Sequence, residues 1–514
     1  MSKAAFWSVF TAALALGLAF RLVEPGVRPM HHDEANQAIR FGTLLETGEY
    51  RYDRNDHHGP TLYYLTLPFA WIRGQPTLAS LDERTLRMVP AIFGAATILL
   101  LLALSAGLGR ATVAASAGLA AISPALTYYS RFYIQESLFT FFTLAFLIAL
   151  GRYALRPRRA TATWAGVLAG LAYATKETSL IVLPAAIVSC AFARMLSTAT
   201  PGGNGPRVSP GTRVAHAATG LLAALLVALV LFSAFFRNPS GLLESFRAFA
   251  IYLGRGVETG PHAEPWYYYL RTLAWSSSGG LAWTEALVLS LAVAGIAYAV
   301  AVRRRAFWPL YVCAYSVITA AVFSALPYKT PWNLLPFYIG IVLLAGTGTA
   351  ALMARARSRQ LRALLVVVLA AATWQLAVQS RRANFQYPAD PRNPYAYAQT
   401  STDFLRLTTR VHDLAARHPD GRNMLVKVLA GPYEQWPFPW YARDLTRVGY
   451  WSRAAEAGSL DDVPVIVASQ ENVAAVDAAL GDRYVSEFYG LRPGVLLTVY
   501  IDRRLWERFL ESRR

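Results

Sequence analysis

The chain has 514 residues, of which 55% are hydrophobic and only 16% are charged, and its formal net charge is +18. This composition is too apolar for a soluble protein of such length, and the length exceeds that of one domain. A basic chain can indicate nucleic-acid binding, but these arginines cluster in short loops between apolar runs, which is typical of cytoplasmic loops in membrane proteins. We therefore expect an α-helical polytopic membrane protein in a lipid bilayer, with no nucleic-acid partner.

A transmembrane helix needs about 20 mostly apolar residues. The sequence offers about 11 such runs: residues 4–23, 86–108, 111–129, 133–154, 161–175, 178–197, 214–236, 282–302, 306–326, 333–354 and 361–379. The first run resembles a signal peptide but lacks a convincing cleavage site, so we predict a retained span. Cys190 and Cys313 lie inside apolar runs, which predicts buried thiols and no disulfide or metal framework.

The basic residues fall in alternate loops when the N-terminus is placed inside. This agreement with the positive-inside rule predicts a cytoplasmic N-terminus in the plasma membrane, and an odd number of spans then puts the C-terminus outside. We expect one membrane domain, residues 1–380, whose first outer loop, residues 24–85, carries amphipathic helices at about 36–45 and 60–71.

Residues 381–514 contain no apolar run long enough to span a bilayer. Short apolar segments at 426–429, 463–468 and 495–501 predict strands, with helical stretches between them. The sequence therefore predicts a small α/β domain outside the membrane. The acids, histidines and aromatic clusters also fall in the outer loops, so we expect the chemistry on that side.

Four ionisable residues, His31, His32, Asp33 and Glu34, directly follow the first span. A carboxylate in this place is a natural general base for an acceptor hydroxyl or amide. The alternative is a polar cap, because Asp33 suits the start of a helix near Ala35. The two histidines are the candidate metal ligands; a divalent metal is compatible with them, but no ligand spacing requires one.

Three further clusters lie in or near outer connections. His57 and His58 suit a metal or the phosphate of a lipid donor, and the alternative is a surface turn with solvated imidazoles. Glu136 is expected in the outer turns of the fourth span, where an ionisable group must be paired or face a cavity. The structural alternative is that the Arg131 side chain snorkels to the membrane surface and Glu136 tethers the helix. Lys176-Glu177 predicts a plain ionic turn.

Two aromatic segments complete the candidate residues. Lys329, followed by Pro331 and Trp332, suits a phosphate or pyrophosphate, and the alternative is an interface anchor of Lys and Trp. Trp436 to Tyr441 has the sequence Trp-Pro-Phe-Pro-Trp-Tyr. It suits stacking on sugar rings through its tryptophans, Trp440 included, or packing of the outer domain.

These motifs together resemble the GT-C superfamily of membrane glycosyltransferases, which includes protein O-mannosyltransferases and lipid A aminoarabinose transferases. Asp33-Glu34 stands where such enzymes have a first acidic motif, and Glu136 after Arg131 stands where they have a second. The chain is most similar to the prokaryotic family named flippase activity-associated. The shared motifs are His-His-Asp-Glu-Ala, Arg-x-Tyr-x-Gln-Glu, Tyr-Lys-Thr-Pro-Trp and Trp-Pro-x-Pro-Trp-Tyr. Where the aminoarabinose transferases have Lys in the first loop, this chain has His58.

The resemblance implies inverting transfer of a sugar from a polyprenyl-phosphate-linked donor to a glycan, lipid or protein acceptor at the outer face. Asp33 would be the base and Glu34 would support it, while Glu136 would position the acceptor or a cation. The donor phosphate would be bound by cationic residues: Arg131, Lys329, His57 and His58. Sugar or acceptor would contact the tryptophans: Trp332, Trp436 and Trp440. The alternative function is a non-catalytic accessory or transporter of lipid-linked oligosaccharide export, although neither inverted repeats nor interrupted spans are visible.

Overall fold

The computed structural model describes residues 1–55, 58–197, 208–257, 260 and 262–513, and helices dominate them. The helices of the first half are α1 Lys3–Leu22, α2 His32–Thr47, α3 Thr61–Ile72, α4 Glu83–Leu100, α5 Ser105–Leu108, α6 Arg110–Ile122, α7 Pro124–Tyr129, α8 Glu136–Leu155, α9 Arg159–Tyr173, α10 Ser179–Leu196 and α11 Pro210–Phe232. Those of the second half are α12 Gly241–Val257, α13 Tyr268–Ala274, α14 Ala286–Ala301, α15 Phe307–Ala325, α16 Leu335–Arg355, α17 Arg359–Arg381, α18 Thr402–Ala415, α19 Phe438–Tyr441, α20 Gln470–Leu480 and α21 Arg503–Glu511. The strands are β1 Ser276–Ser278, β2 Leu281–Trp283, β3 Val426–Leu429, β4 Val448–Trp451, β5 Val465–Ser469, β6 Tyr484–Arg492 and β7 Val495–Asp502.

Eight helical segments in the described part of the chain are long and apolar enough to cross a membrane. They are Lys3–Leu22, Glu83–Leu108, Glu136–Leu155, Ser179–Leu196, Pro210–Phe232, Phe307–Ala325, Pro331–Arg355 and Arg359–Gln386. Two shorter apolar helices, α6 and α14, and the 15-residue helix α9 occupy the other three predicted runs. The chain is thus an integral multi-pass membrane protein, and the count of 11 spans stays a prediction.

Close helix packing in the membrane part depends on glycine. A Cβ at Gly166 of α9 would lie 1.9 Å from the carbonyl oxygen of Gly220 in α11. The same distance would separate a Cβ at Gly295 of α14 from the carbonyl oxygen of Leu344 in α16. Small residues let helix backbones approach closely where apolar lipid gives little hydrophobic drive for association. Both thiols, Cys190 and Cys313, are free and buried as predicted.

The C-terminal part contains a five-stranded mixed sheet of order β4-β3-β5-β7-β6. Strand β3 pairs in parallel with β4 and β5, whereas β7 pairs antiparallel with β5 and β6. Val465 and Val467 of β5 enter one apolar core, and Ile466 and Ala468 enter the other. The sheet is therefore covered on both faces, which is why its central strands are continuous apolar runs.

The three strands and two first-loop helices expected from the sequence are confirmed as β3, β5, β7, α2 and α3. Strands β4 and β6 were not predicted. Strand β6 has the sequence Tyr-Val-Ser-Glu-Phe-Tyr-Gly-Leu-Arg, with a register irregularity between Gly490 and Arg492. Its polar and glycine residues conceal a strand that forms by pairing with β7.

The chain separates into two compact units by its internal contacts. The membrane unit comprises residues 1–25, 49–69 and 84–387. The sheet-containing unit comprises residues 26–48, 70–83 and 388–514, so it includes two pieces of the first loop. The predicted division into domains 1–380 and 381–514 stays a prediction, and the units are described separately below.

Candidate active site

The start of helix α2, in the sheet-containing unit, is held by a capping box built from neighbouring residues. His31 is the N-cap, and its Nδ1 accepts a hydrogen bond from the Asp33 backbone N–H at 3.1 Å. The Glu34 carboxylate accepts one from the His31 N–H at 3.0 Å and lies 3.7 Å from the Arg28 guanidinium. Such reciprocal bonds satisfy N–H groups that a helix start leaves without partners. The prediction that Asp33 caps this helix is therefore wrong, because His31 caps it.

The two adjacent carboxylates differ sharply in environment. The Glu34 side chain is fully buried, whereas the Asp33 side chain is 42% exposed. An acidic side chain in the first turn is stabilised by the helix dipole. Burial lowers the pKa of His31, and the nearby Asp33 charge opposes this effect. The imidazole is therefore favoured in its neutral form, which can accept the Asp33 N–H. Of the two carboxylates, only that of Asp33 is accessible to solvent.

His32 projects onto two aromatic rings of the same unit. Its imidazole stacks on Tyr433 with ring centroids 6.0 Å apart and an interplanar angle of 28°. The centroid of the Trp436 ring lies 5.9 Å from that of the His32 imidazole, and the two ring planes meet at 52°. The aromatic segment therefore lies beside the residue that precedes Asp33. We call these three side chains the aromatic cluster.

Trp440 and Tyr441 have packing contacts. Trp440 is completely buried, and its indole N–H donates to the Glu83 carboxylate at 2.9 Å. The Arg443 guanidinium lies 3.8 Å above the same ring. The Tyr441 hydroxyl accepts from the Met30 N–H at 2.9 Å. These contacts disfavour the sugar role predicted for Trp440 and favour the packing alternative.

The membrane unit contains a buried ion pair between Lys176 and Glu136. The Lys176 ammonium donates to the Glu136 carboxylate at 2.5 Å and to the Asn333 side-chain oxygen at 2.9 Å. The side chains of the pair are 6% and 2% exposed. A carboxylate at the first residue of α8 therefore has the partner that its position demands. The other oxygen of this carboxylate, Oε2, is buried and finds no hydrogen-bond partner among the described residues.

Glu177, the residue after Lys176, contacts the first outer loop. Its carboxylate lies 2.7 Å from the His58 Nδ1 and accepts from the Tyr52 hydroxyl at 3.2 Å. The predicted ionic turn between Lys176 and Glu177 is wrong, because the two side chains bind separate partners. A Cβ at Gly59 would lie 2.1 Å from the Ala174 carbonyl oxygen, so only glycine lets this loop approach so closely. His58 keeps a side chain that is 27% exposed.

Arg131 contacts the end of the first span. Its guanidinium donates to the carbonyl oxygens of Phe20, Val23 and Glu24 at 3.0, 2.6 and 2.6 Å. It also lies 4.6 Å above the Phe385 ring. A cation is stabilised at a helix C-terminus, where carbonyl groups lack helical partners. The contacts thus give Arg131 a structural role at α1, and the predicted phosphate contact stays a prediction.

Lys329 is also surrounded by backbone oxygens. Its ammonium donates to the Glu264 carbonyl at 2.8 Å and to the Leu326 carbonyl, and the side chain is nearly completely buried. Burial lowers its pKa, while the Glu264 charge opposes that shift. Trp332 is 8% exposed and packs on Tyr129 and Phe132. These contacts favour an anchoring role for both residues over the predicted ligand contacts.

Metal binding finds no support in the described residues, where no group of three or more His, Cys, Asp or Glu side chains could hold an ion. His31 Nδ1 accepts a backbone N–H, and His32 packs on rings. His57 lies outside the described residues, so its predicted phosphate contact stays a prediction.

Sequence reasoning missed one buried carboxylate in the membrane unit. Glu285 accepts hydrogen bonds from Ser123 Oγ at 2.7 Å, from the Ala125 N–H at 2.9 Å and from the Tyr338 hydroxyl. It therefore stabilises the start of α7. The available signal was a lone carboxylate directly before an apolar run.

Comparison with solved structures identifies the fold. ArnT from Cupriavidus metallidurans in the apo state aligns with a TM-score of 0.64 at 14% identity, over 97% of this chain and 98% of that chain. The chain has the GT-C fold. ArnT bound to undecaprenyl phosphate gives a TM-score of 0.63 at 15% identity, over 98% and 99% of the two chains.

A second solved structure with a similar fold is that of an archaeal oligosaccharyltransferase. AglB from Archaeoglobus fulgidus, in complex with an inhibitory peptide and a dolichol-phosphate, aligns with a TM-score of 0.56 at 15% identity. The alignment covers 99% of this chain and 78% of that chain. Residues 58–201 match the family described as dolichyl-phosphate-mannose-protein mannosyltransferase. No curated protein matches the chain in sequence. The GT-C fold expected from the motifs is thus confirmed.

Proposed function

We propose that the protein is an inverting glycosyltransferase that moves a sugar from a polyprenyl-phosphate-linked donor to an acceptor. The accessible carboxylate of Asp33, at a capped helix start beside fully buried Glu34, carries this proposal. Precise support of a reactive group by a neighbouring hydrogen-bond network is what a catalytic constellation requires. The neighbouring folds support the donor class, because ArnT is described with undecaprenyl phosphate and AglB with dolichol-phosphate.

The reaction needs one base. Asp33 removes the proton of the acceptor hydroxyl or amide, and the resulting nucleophile attacks the anomeric carbon on the face opposite the lipid phosphate. The bond from that carbon to the phosphate oxygen breaks, and the phosphate leaves with the electron pair. Single displacement inverts the anomeric configuration. Glu34 acts through the capping box and keeps Asp33 in position.

Stabilising the leaving phosphate requires cations or hydrogen-bond donors. In the membrane unit, His58 is the contact that we favour, because its side chain is partly exposed and oriented by Glu177. Arg131, Lys329 and His57 remain further candidates. Glu136 is proposed as a positioning residue for the acceptor or a cation, because its Oε2 is buried without a hydrogen-bond partner in the described chain.

Location follows from charge distribution. We propose a plasma-membrane protein with a cytoplasmic N-terminus and an extracytoplasmic α/β domain of residues 381–514. The arginine-rich connections support this orientation through the positive-inside rule. Transfer would then take place at the outer face.

Asp33→Asn tests the base directly. The purified full-length protein in nanodiscs is given a synthetic polyprenyl-phosphate-hexose and a panel of glycan, lipid and peptide acceptors. We expect the substitution to lower kcat by about 10²–10⁴-fold, because the amide cannot accept the proton. Glu471→Gln, which removes an exposed carboxylate from the first turn of α20, is the matched control and should keep activity.

Two outcomes would contradict the proposal. Unchanged transfer by the Asp33→Asn protein would remove Asp33 as the base. Absence of transfer by the wild type with every donor and acceptor in the panel would favour the accessory or transport function.

A further inference from the structure

The aromatic cluster of His32, Tyr433 and Trp436 is only partly accounted for by packing. Tyr433 is 74% exposed, although an aromatic ring gains much free energy from burial. Its contact with the His32 imidazole covers little of the ring. Trp440, which follows seven residues later, is by contrast completely buried. Packing of the segment therefore explains Trp440 and leaves the Tyr433 ring open to a ligand.

Tyr433 is exposed on a backbone that is held in place. The Arg492 guanidinium, at the end of strand β6, donates to the Tyr433 carbonyl oxygen at 3.1 Å. His32 belongs to the first turn of α2, which the capping box fixes. Trp436 contacts the same imidazole. Helix α2 and the end of strand β6 thus hold the backbones that carry His32 and Tyr433, which reduces the ordering that a ligand must impose on binding.

The chemistry beside the rings is polar. Asp33 follows His32 directly and exposes 42% of its side chain. Partly exposed polar residues, Glu434 and Gln435, lie between Tyr433 and Trp436. An aromatic face with hydrogen-bonding groups around it matches a pyranose ring, whose axial C–H groups form an apolar face and whose hydroxyls form a polar rim. An acyl chain would instead need a broader apolar surface.

We propose that the aromatic cluster is the acceptor subsite and that the acceptor is a saccharide. One pyranose ring stacks on Tyr433, with His32 and Trp436 as the supporting rings, while a hydroxyl of the acceptor reaches Asp33. This inference rests on the proposed transfer function, since it names the acceptor class for the same carboxylate. In this subsite His32 is a positioning residue. Tyr433 takes the place of Trp332 and Trp440 as the sugar contact.

Direct binding tests the subsite without any transfer reaction. Chitotetraose, maltotetraose and mannotetraose are titrated separately into the full-length protein in nanodiscs, with no donor present, and binding is followed by calorimetry and saturation-transfer NMR. We expect at least one oligosaccharide to bind, and Tyr433→Ala to raise its Kd about 3- to 10-fold, the range that one aromatic contact supplies. Tyr433→Phe, which keeps the ring face, should stay within about twofold of wild type.

The matched control is Phe488→Ala, which removes a ring that is 68% exposed on strand β6. It should leave the Kd unchanged. Trp436→Phe provides a second variant that keeps a supporting ring. Melting temperatures of all variants establish that each protein is folded.

A transfer assay separates this inference from the proposed function. With the oligosaccharide that binds, Tyr433→Ala should raise the acceptor KM and leave kcat and the donor KM unchanged. Saccharide binding weakened in Tyr433→Ala, without transfer by the wild type with any donor and acceptor of the panel, would support the subsite and refute the transfer function. Transfer only to a peptide or lipid, unaffected by Tyr433→Ala, would support the transfer function and refute the saccharide subsite. Failure of all three oligosaccharides to bind would also refute the subsite.

Discussion

The buried ionisable residues of this chain have charged or hydrogen-bonding partners. A buried charge must find an opposite charge and hydrogen bonds, because desolvation is otherwise unfavourable by several kcal/mol. Glu136 meets Lys176, while Glu177 meets His58 and Tyr52. Asp33 differs, because it is exposed and lies beside a fully buried carboxylate. Exposure, rather than residue type, therefore distinguishes the candidate base from the acids that hold the fold.

The Glu136–Lys176 pair yields a prediction about stability. Lys176→Met leaves the Glu136 carboxylate buried without its cation, so we expect a loss of about 3–5 kcal/mol in the free energy of unfolding. The measurement is the melting temperature and denaturant midpoint of the protein in nanodiscs. The double variant Glu136→Gln with Lys176→Met removes both charges and should recover at least half of the loss. A double variant less stable than Lys176→Met would contradict the importance of the pair.

The helices of this protein depend on capping residues at their ends and on glycines at their contact faces. Helix α2 starts at a histidine cap, and α9 and α14 approach their neighbours through glycine. The capping box has a further consequence, because a histidine cap can titrate. In its protonated form the imidazole has no lone pair left to accept the Asp33 N–H. We therefore expect the stability of the helix that carries the candidate base to depend on pH.

The variant His31→Asn tests whether His31 causes this pH dependence. The folded state lowers the pKa of His31 below its ordinary value of 6.5, so the unfolded chain binds the proton more tightly. The contribution of His31 to stability is therefore present above pH 6.5 and is lost as the pH falls below it. We expect the melting temperature of the wild type to decrease more steeply below pH 6.5 than that of His31→Asn, whose amide caps the helix without titrating.

The comparison at pH 8 is the control for this prediction. There both side chains are neutral and both can cap, so the two proteins should differ by less than about 1 kcal/mol. Parallel pH profiles of the two proteins below pH 6.5 would contradict the proposed cap titration.

At the scale of the whole molecule, the GT-C fold persists at very low sequence identity. The chain aligns with ArnT over 97% of its length at 14% identity. Membrane helices can tolerate such divergence because lipid-facing positions need only be apolar, whereas buried polar groups and small contact residues are constrained. The arginine-rich loops support the orientation proposed for this fold.

Cysteine labelling tests the proposed orientation. Cys190 and Cys313 are buried and should react poorly, which leaves an introduced thiol as the main target. In intact spheroplasts, a membrane-impermeant maleimide should label Glu471→Cys in the α/β domain and leave Arg305→Cys unlabelled. After permeabilisation both should react. Labelling of Arg305→Cys in intact spheroplasts would reverse the orientation.

Much of the architecture could be predicted from the sequence because its signals are local. Apolar runs of membrane length, alternating basic loops and short apolar strands are readable without knowledge of contacts. Strand β6 could not be read in this way, because its pairing with β7 compensates for polar and glycine residues. The partner of Lys176 was also unreadable, since Glu136 lies 40 residues away along the chain.

The sequence by itself determined that this is a multi-pass membrane protein, and its motifs predicted the GT-C fold. It also singled out His31 to Glu34. Only the tertiary structure decided which of these residues cap, which are buried and which stay accessible. The physical reason is that hydropathy acts through neighbouring residues, whereas hydrogen bonds and ion pairs form between distant ones. The aromatic cluster illustrates this, because His32 and Tyr433 become neighbours only after folding.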